Sequence, residues 1–251
     1  MDKLQQIFNK QARYLKTLEP IYVKNGFLHK ALFPYPINDR HAQEQFRLLA
    51  WRINEEVYEA LEEWSKPEAD VAKYQEEVSD VLHFLVEFAV CAGITTVEFA
   101  TGGDAALVTT NDYLDESFRR VGYYPNKLEA QQAWGMFLAS LAKLMMQFRQ
   151  RPWRTDNRET DFTKVKHFLG VTWFAFCAAC RATGIGPATL SRAYFRKGMI
   201  NDQRRKDALG MPHKDLQDHD LAPAPISHEK SAPGAMPEAP TSVDYDNDCA
   251  P

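Results

Sequence analysis

The chain has 251 residues, 45% of them hydrophobic and 25% charged, with 12 Gly, 14 Pro and 4 Cys, a balance that excludes a collagen, a disulfide scaffold and a chain disordered throughout. The formal net charge is −4, with its basic block paired with an acidic one, which does not point to nucleic acid, and no apolar run approaches the ~20 residues of a membrane helix. The first residues lack the apolar region of a signal peptide, so a cytoplasmic protein with no membrane or nucleic-acid partner is expected.

Helical periodicity runs through most of the sequence. A first helix is predicted over residues 2–18, with Leu4, Ile7, Phe8, Leu15 and Leu18 on one stripe. Gln11 falls inside that stripe and needs a buried partner. An aromatic, Pro-containing connection follows from Phe27 to Ile37, its aromatics up to Tyr35 serving either the core or an interface. A second helix is predicted over residues 41–64, its apolar face made by Phe46, Leu49, Ala50, Ile53, Val57, Ala60, Leu61 and Trp64. Ser65-Lys66-Pro67-Glu68 reads as a capping box with Pro just inside it, starting a third helix that continues through Val71, Tyr74, Val78, Leu82 and Leu85 to Gly93.

Residues 101–125 are weakly patterned and read as an insertion. Asn126 with Glu129 opens an apolar helix to Arg149, and further helices are predicted over 161–182 and 187–206. Residues 222–251 are rich in Pro and Ala and too poor in large apolar side chains to bury a core, so they read as a disordered tail. Cys177-Ala-Ala-Cys180 has no second pair to complete a zinc site, and these cysteines, with Cys91 and Cys249, read as free thiols. With strand signals nearly absent, an all-α helical bundle forming one domain over 1–210 is expected.

Charge is segregated along the chain. Between Glu55 and Glu87 stand eleven acids against two bases, whereas between Arg192 and Lys206 stand six bases against one acid, Asp202. An acidic block facing a basic one fits metal cations on one side and phosphates on the other. Arg149, Arg151, Arg154 and Arg158 form a second basic run, read as structural or solvated, with a phosphate contact as the alternative.

Within the acidic block, Glu56 with Glu59 and Glu77 with Asp80 lie three apart, so each pair shares a helix face. The pairs are centred near positions 57.5 and 78.5, whose mean of 68 falls at the turn. A hairpin about that turn therefore sets all four carboxylates at one height, ~15 Å from it at the helical rise per residue. Glu56 lies beside Ile53 and Ala60, and Glu77 beside Tyr74, Val81 and Phe84, at the rim of the core. Anions crowded there lose hydration and repel, and hard divalent cations with oxygen ligands, Mg²⁺ completed by phosphates among them, offset this. Glu62, Glu63 and Glu87 read as solvated. A di-iron carboxylate bundle is the weaker alternative, because only Asp80-Val81-Leu82-His83 offers its acid-x-x-His element, and only once.

Glu55-Glu56-x-x-Glu59 followed by Glu77-x-x-Asp80 resembles the signature of the all-α nucleoside triphosphate pyrophosphohydrolases, the superfamily of dimeric dUTPases and MazG-like enzymes. Trp64 before the turn and Val81-x-His83-Phe84 are similar to the dimeric dUTPase branch, which includes phage dCTPase-dUTPases. So is the segment from Tyr194 to Arg204, which resembles that branch's Tyr-x-x-Lys-Asn-x-x-Asn-x-x-Arg, and Leu4-Gln5-Gln6-Ile7-Phe8-Asn9 resembles its base-recognition helix. Gly198 stands where that branch usually has Asn, Arg205 where Gln is common, and Ala208-Leu209 where Gly-Tyr often closes the motif.

The resemblance implies hydrolysis of a deoxynucleoside triphosphate, dUTP or dCTP, to the monophosphate and pyrophosphate. It implies that Glu56, Glu59, Glu77 and Asp80 hold about two or three Mg²⁺ ions, with Mn²⁺ as a substitute, and that Glu56, Glu59 or Glu77 doubles as general base. Lys197 and Arg204 would meet the phosphates, Tyr194 and Asn201 would donate further hydrogen bonds, and Gln5 and Asn9 would read the base edge. A homodimer is implied too. The alternatives are a MazG-like hydrolase of another base preference, such as dGTP, and a non-catalytic nucleotide-binding helical protein.

Overall fold

The computed structural model describes residues 2–24, 34–103, 112–121, 127–149 and 158–206, apart from the side chains of 18–24, 127–128 and 204–206. The readings made on Phe27 to Phe33, Asn126, Arg151, Arg154, Cys249, the tail at 222–251 and the side chain of Arg204 lie outside the described residues. Among the described residues the chain is all-α: α1 (Lys3–Lys24), α2 (Arg40–Ser65), α3 (Val71–Cys91), α4 (Thr96–Thr101), α5 (Tyr113–Arg120), α6 (Lys127–Met145), α7 (Phe162–Ala182) and α8 (Pro187–Lys206). No single helix there is long and apolar enough to cross a membrane.

The helices begin where short polar side chains satisfy free backbone N–H groups. Asp39 accepts from Ala42 N, Asp161 from Lys164 N, and Thr95 forms a reciprocal box with Glu98. The start of α3 corrects the sequence reading. Ser65 does not cap it; its hydroxyl donates to the Leu61 carbonyl and closes α2. Asp70 caps α3 instead, accepting from Ala72 N and Lys73 N. The rival that decides this is Glu63, which was expected in solvent and is buried. Its carboxylate reaches across the turn to accept from Asp70 N at 2.9 Å and from Lys66 Nζ at 2.5 Å. Burial pushes the pKa of this carboxyl up, and Lys66 and the Asp70 N–H more than reverse the push, so it is held below its ordinary value.

The described residues within 101–125 are also more structured than their pattern predicts. The described part contains α5, whose Leu114 and Phe118 are buried, and whose Ser117 hydroxyl accepts from Trp173 Nε1 at 2.8 Å. The Arg181 guanidinium donates to the Phe118 carbonyl at 2.7 Å, tying α5 to the end of α7.

Two aromatic clusters hold the bundle. Phe8, Phe99, Trp173 and Phe176 form a chain with ring centroids 5.2, 4.8 and 5.8 Å apart, joining α1, α4 and α7. Phe46, Phe88 and Phe148 pack at 4.8 to 5.8 Å and lock α2 to α3 far from their turn. At the turn end, Trp64 packs on Tyr74, whose hydroxyl donates to Thr183 Oγ1 at 2.6 Å. Thr183 sits in the 102° bend between α7 and α8, so this bond helps set how α8 lies along α3. Cys91, Cys177 and Cys180 are buried free thiols, as expected.

The approach of α7 to α4 is set by absent side chains. A Cβ on Gly170 would stand 2.2 Å from Gly102 Cα and 2.6 Å from Gly102 N, and Gly102 itself ends α4 at a φ of +65°. Backbone atoms cannot swing aside as a side chain can. Gly170→Ala is therefore expected to destabilise the fold by about 2 kcal/mol or more through overpacking, read as a lower urea midpoint with unchanged helical content.

Candidate functional site

α2 and α3 fold back on each other about residues 66–70, and this brings Glu56 and Glu59 on α2 opposite Glu77 on α3. One carboxylate oxygen from each lies within 4.8 Å of the others, a set able to hold a metal ion. Glu56 and Glu77 are 6% and 7% exposed, whereas Glu59 is open to solvent, so the group forms a pocket with two desolvated walls and one wet one. The rim position read from the helical phase explains this. Ile53 and Ala60, which flank Glu56, and Val81, which flanks Glu77, are fully buried.

The electrostatics follow from the crowding. Burial, then the charges of Asp80, Glu59 and Glu56, push the Glu77 carboxyl up to about 8, against the opposing pull of Lys197. A carboxyl so raised is one that a nearby cation would return to its ionised form. The donor set, oxygen only and three carboxylates converging, fits a hard divalent ion.

Asp80 is buried one turn beyond Glu77, but it is not in the convergent trio. Its Oδ2 lies 3.0 Å from Lys197 Nζ on α8. The same ammonium is hydrogen-bonded to Glu76, a residue that the sequence did not single out because nothing in its spacing separates it from the rest of the acidic run. Burial works against the Lys197 charge, yet Asp80 and Glu76 outweigh it and raise its pKa. Lys197, expected at the phosphates, is here the counter-ion of α3.

Tyr194 and His83 also serve α3 more than an open groove. The two rings stack at 4.0 Å, and His83 Nδ1 lies 2.9 Å from the Ser79 carbonyl, the geometry of a satisfied core histidine. Burial lowers the His83 pKa, against the opposing pull of Asp80 and the Ser79 carbonyl. The Tyr194 hydroxyl, expected to donate to substrate, donates to Gln11 Oε1 at 2.9 Å. The amide of Gln11 in turn donates to Glu87 Oε2 at 3.2 Å, which supplies the buried partner its stripe position required. Glu87 was expected in solvent and is 7% exposed; burial raises its pKa to about 7, opposed by the Gln11 bond and by Arg52. α1 and α8 thus meet α3 along one polar seam.

The remaining expected site residues are less drawn together. Gln5 Nε2 donates to Asn9 Oδ1 at 3.0 Å on the outer side of α1, and Asn201 is half-buried on α8. Arg149 and Arg158 are exposed.

Oxygen donors gathered across a helical hairpin define an all-α protein whose candidate site is suited to a cation. A family model described as dUTPase matches residues 38–208, and the chain belongs to the dUTPase family. The match runs from just before α2 to beyond the end of α8 and leaves α1 outside it. None of the curated proteins or solved structures compared with the chain matches it.

The raised pKa of Glu77 has a measurable consequence. A carboxyl that holds its proton more tightly when folded stabilises fully below its unfolded value of about 4.5, and that contribution is lost as pH rises to about 8. Without divalent cations the Tm should fall across that window. Glu87, raised to about 7, acts in the same direction, so the effect of Glu77 is isolated by substitution. Glu77→Gln should flatten the fall by several degrees, measured by thermal unfolding at a series of pH values.

Proposed function

We propose that this chain hydrolyses a deoxynucleoside triphosphate, dUTP and dCTP favoured, to the monophosphate and pyrophosphate in a Mg²⁺-dependent reaction. The observation that carries the reading is the convergence of Glu56, Glu59 and Glu77 within 4.8 Å, in a chain of the dUTPase family. Water adds to a phosphorus atom, the bond to the pyrophosphate leaving group breaks, and the water's proton must go to a base.

In this reading Glu56, Glu59 and Glu77 hold the metal, with Asp80 beside them. When bound, Mg²⁺ would supply charge neutralisation on the phosphate oxygens and a water of lowered pKa. One carboxylate among Glu56, Glu59 and Glu77 takes the proton from the attacking water. Lys197 keeps Glu76 and Asp80 compensated, so that α3 carries its run of acids without swelling the groove. Asn201 and Arg204 bind phosphate oxygens from α8, and Gln5 and Asn9 offer amide donors and acceptors to the base edge. Tyr194 acts by stacking on His83 and fixing α8 against α3. The enzyme works as a homodimer in the cytoplasm.

A panel of deoxynucleoside triphosphates, assayed for pyrophosphate release with and without Mg²⁺, tests this. Turnover should require the ion and be greatest on dUTP or dCTP. Glu77→Gln, which keeps the shape and removes the charge, should lower kcat/KM by about 100-fold or more, ~2.7 kcal/mol in the barrier. Undiminished Mg²⁺-dependent turnover in that variant would rule out the assigned site.

A further inference from the structure

The groove between α2 and α3 continues past the acids. Arg52 on α2 and Phe84 on α3 are centred on position 68, as Glu56 with Asp80 and Glu59 with Glu77 are. They form the next level of the hairpin, about 6 Å farther from its turn at the helical rise per residue. Arg52 stands four residues before Glu56 and seven before Glu59, and Phe84 four after Asp80 and seven after Glu77, spacings that share a helix face. The two side chains meet across the groove, with the Arg52 guanidinium over the Phe84 ring, 5.9 Å from its centre. Arg52 is exposed and Phe84 half-buried, so this level opens to solvent.

The charge at this level is uncommitted. Among the described residues the Arg52 guanidinium makes no hydrogen bond and no ion pair, and its contact is with the ring. The neighbouring acids are engaged elsewhere. Glu55 Oε1 accepts from Trp51 Nε1 at 2.8 Å, and Glu87 Oε2 accepts from Gln11 at 3.2 Å, so Arg52 acts on Glu87 only through its field. Glu56 belongs to the convergent trio, and an arginine placed N-terminal to a glutamate at i, i+4 is the weaker order of charges on a helix.

We infer that Arg52 is a phosphate-binding residue of this site, meeting the polyphosphate from the α2 wall of the groove. The inference rests on the nucleotide-hydrolysing reading above. A polyphosphate seated at the trio presents oxygens beyond those that a cation there would cover, and these need N–H donors. Lys197, bonded to Glu76 and Asp80 and 5% exposed, is spent on the protein's own acids. Arg52 is not. Its planar fork offers paired donors to two phosphate oxygens, and one helical turn lies within the span of an arginine side chain. Phe84 holds the guanidinium at this level while leaving its donors unbonded.

The rival role is a clasp between α2 and α3 through the Phe84 ring, which would matter for stability alone. The full chain is titrated by calorimetry with inorganic tripolyphosphate in Mg²⁺, and its KM and kcat for dUTP are measured. Arg52→Met, which keeps an apolar side chain on Phe84 and removes the donors, should weaken tripolyphosphate binding and raise KM by about tenfold each, while kcat changes less than about threefold. Arg52→Lys, which keeps the charge, should recover most of the affinity. Phe84→Leu, which breaks the clasp and keeps the arginine, should leave tripolyphosphate affinity within about threefold of the unsubstituted chain. Unchanged tripolyphosphate affinity in Arg52→Met overturns the inference, even if Tm drops. So does a loss in Phe84→Leu as large as that in Arg52→Met, or an unsubstituted chain that does not bind tripolyphosphate. If no deoxynucleoside triphosphate is hydrolysed while tripolyphosphate affinity still depends on Arg52, the reaction assigned above fails and the role of Arg52 stands.

Discussion

The repulsion among Glu56, Glu59 and Glu77 is the constraint around which the rest of the structure is arranged. Three carboxylates with oxygens inside 4.8 Å, two of them withdrawn from water, would drive two helices apart unless something held them. Part of the strain is relieved by a proton, since the Glu77 carboxyl is pushed up to about 8. The rest is opposed by packing. Phe46, Phe88 and Phe148 lock the far end of the hairpin, and the Glu63 clip closes the near end through Asp70 and Lys66. A groove pinned at both ends can keep its acids close, and a divalent ion would then be attracted to charge that is already paid for by the fold.

The third helix carries a second charge problem that α8 solves. Glu76 and Asp80 stand on α3 beside the trio, and both are bonded to the buried Lys197 ammonium. One turn back along α8, Tyr194 stacks on His83 and donates its hydroxyl hydrogen bond to the Gln11 amide oxygen, whose Nε2 in turn donates to Glu87. Each link is a polar group whose burial is tolerable because the next one satisfies it. This chain couples α1 to the site helices. The position of Gln5 and Asn9 therefore depends on α8, not on local helix preferences.

Much of this was legible in the sequence. The helical period located six of the eight helices among the described residues, and of the four carboxylates that the mirrored acid pairs set on one groove, Glu56, Glu59 and Glu77 converge while Asp80 turns to Lys197, because spacing on a helix and symmetry about a turn are local geometry and the pull of α8 is not. Gln11 was marked as needing a partner because it interrupts an apolar stripe. The start of α3 was misplaced because the Ser65 pattern obeys the capping rule, while a buried acid from the preceding helix decided the outcome. α5 was missed because its eight residues are too few to display a stripe, and it is stabilised by Trp173 and Arg181, far along the chain.

The sequence alone determined an all-α chain with a hairpin of converging acids, since 3.6-residue periodicity and the register of two helices about a turn need no knowledge of the other elements. Tertiary structure alone decided which charges meet. That Lys197 compensates Glu76 and Asp80, that Glu87 is buried against Gln11, and that Lys10 fills the space above Gly198 are contacts between residues 76 to 188 positions apart. Charge is read from the sequence residue by residue, but its partner and its hydration are set by how helices distant in the chain come to lie against one another.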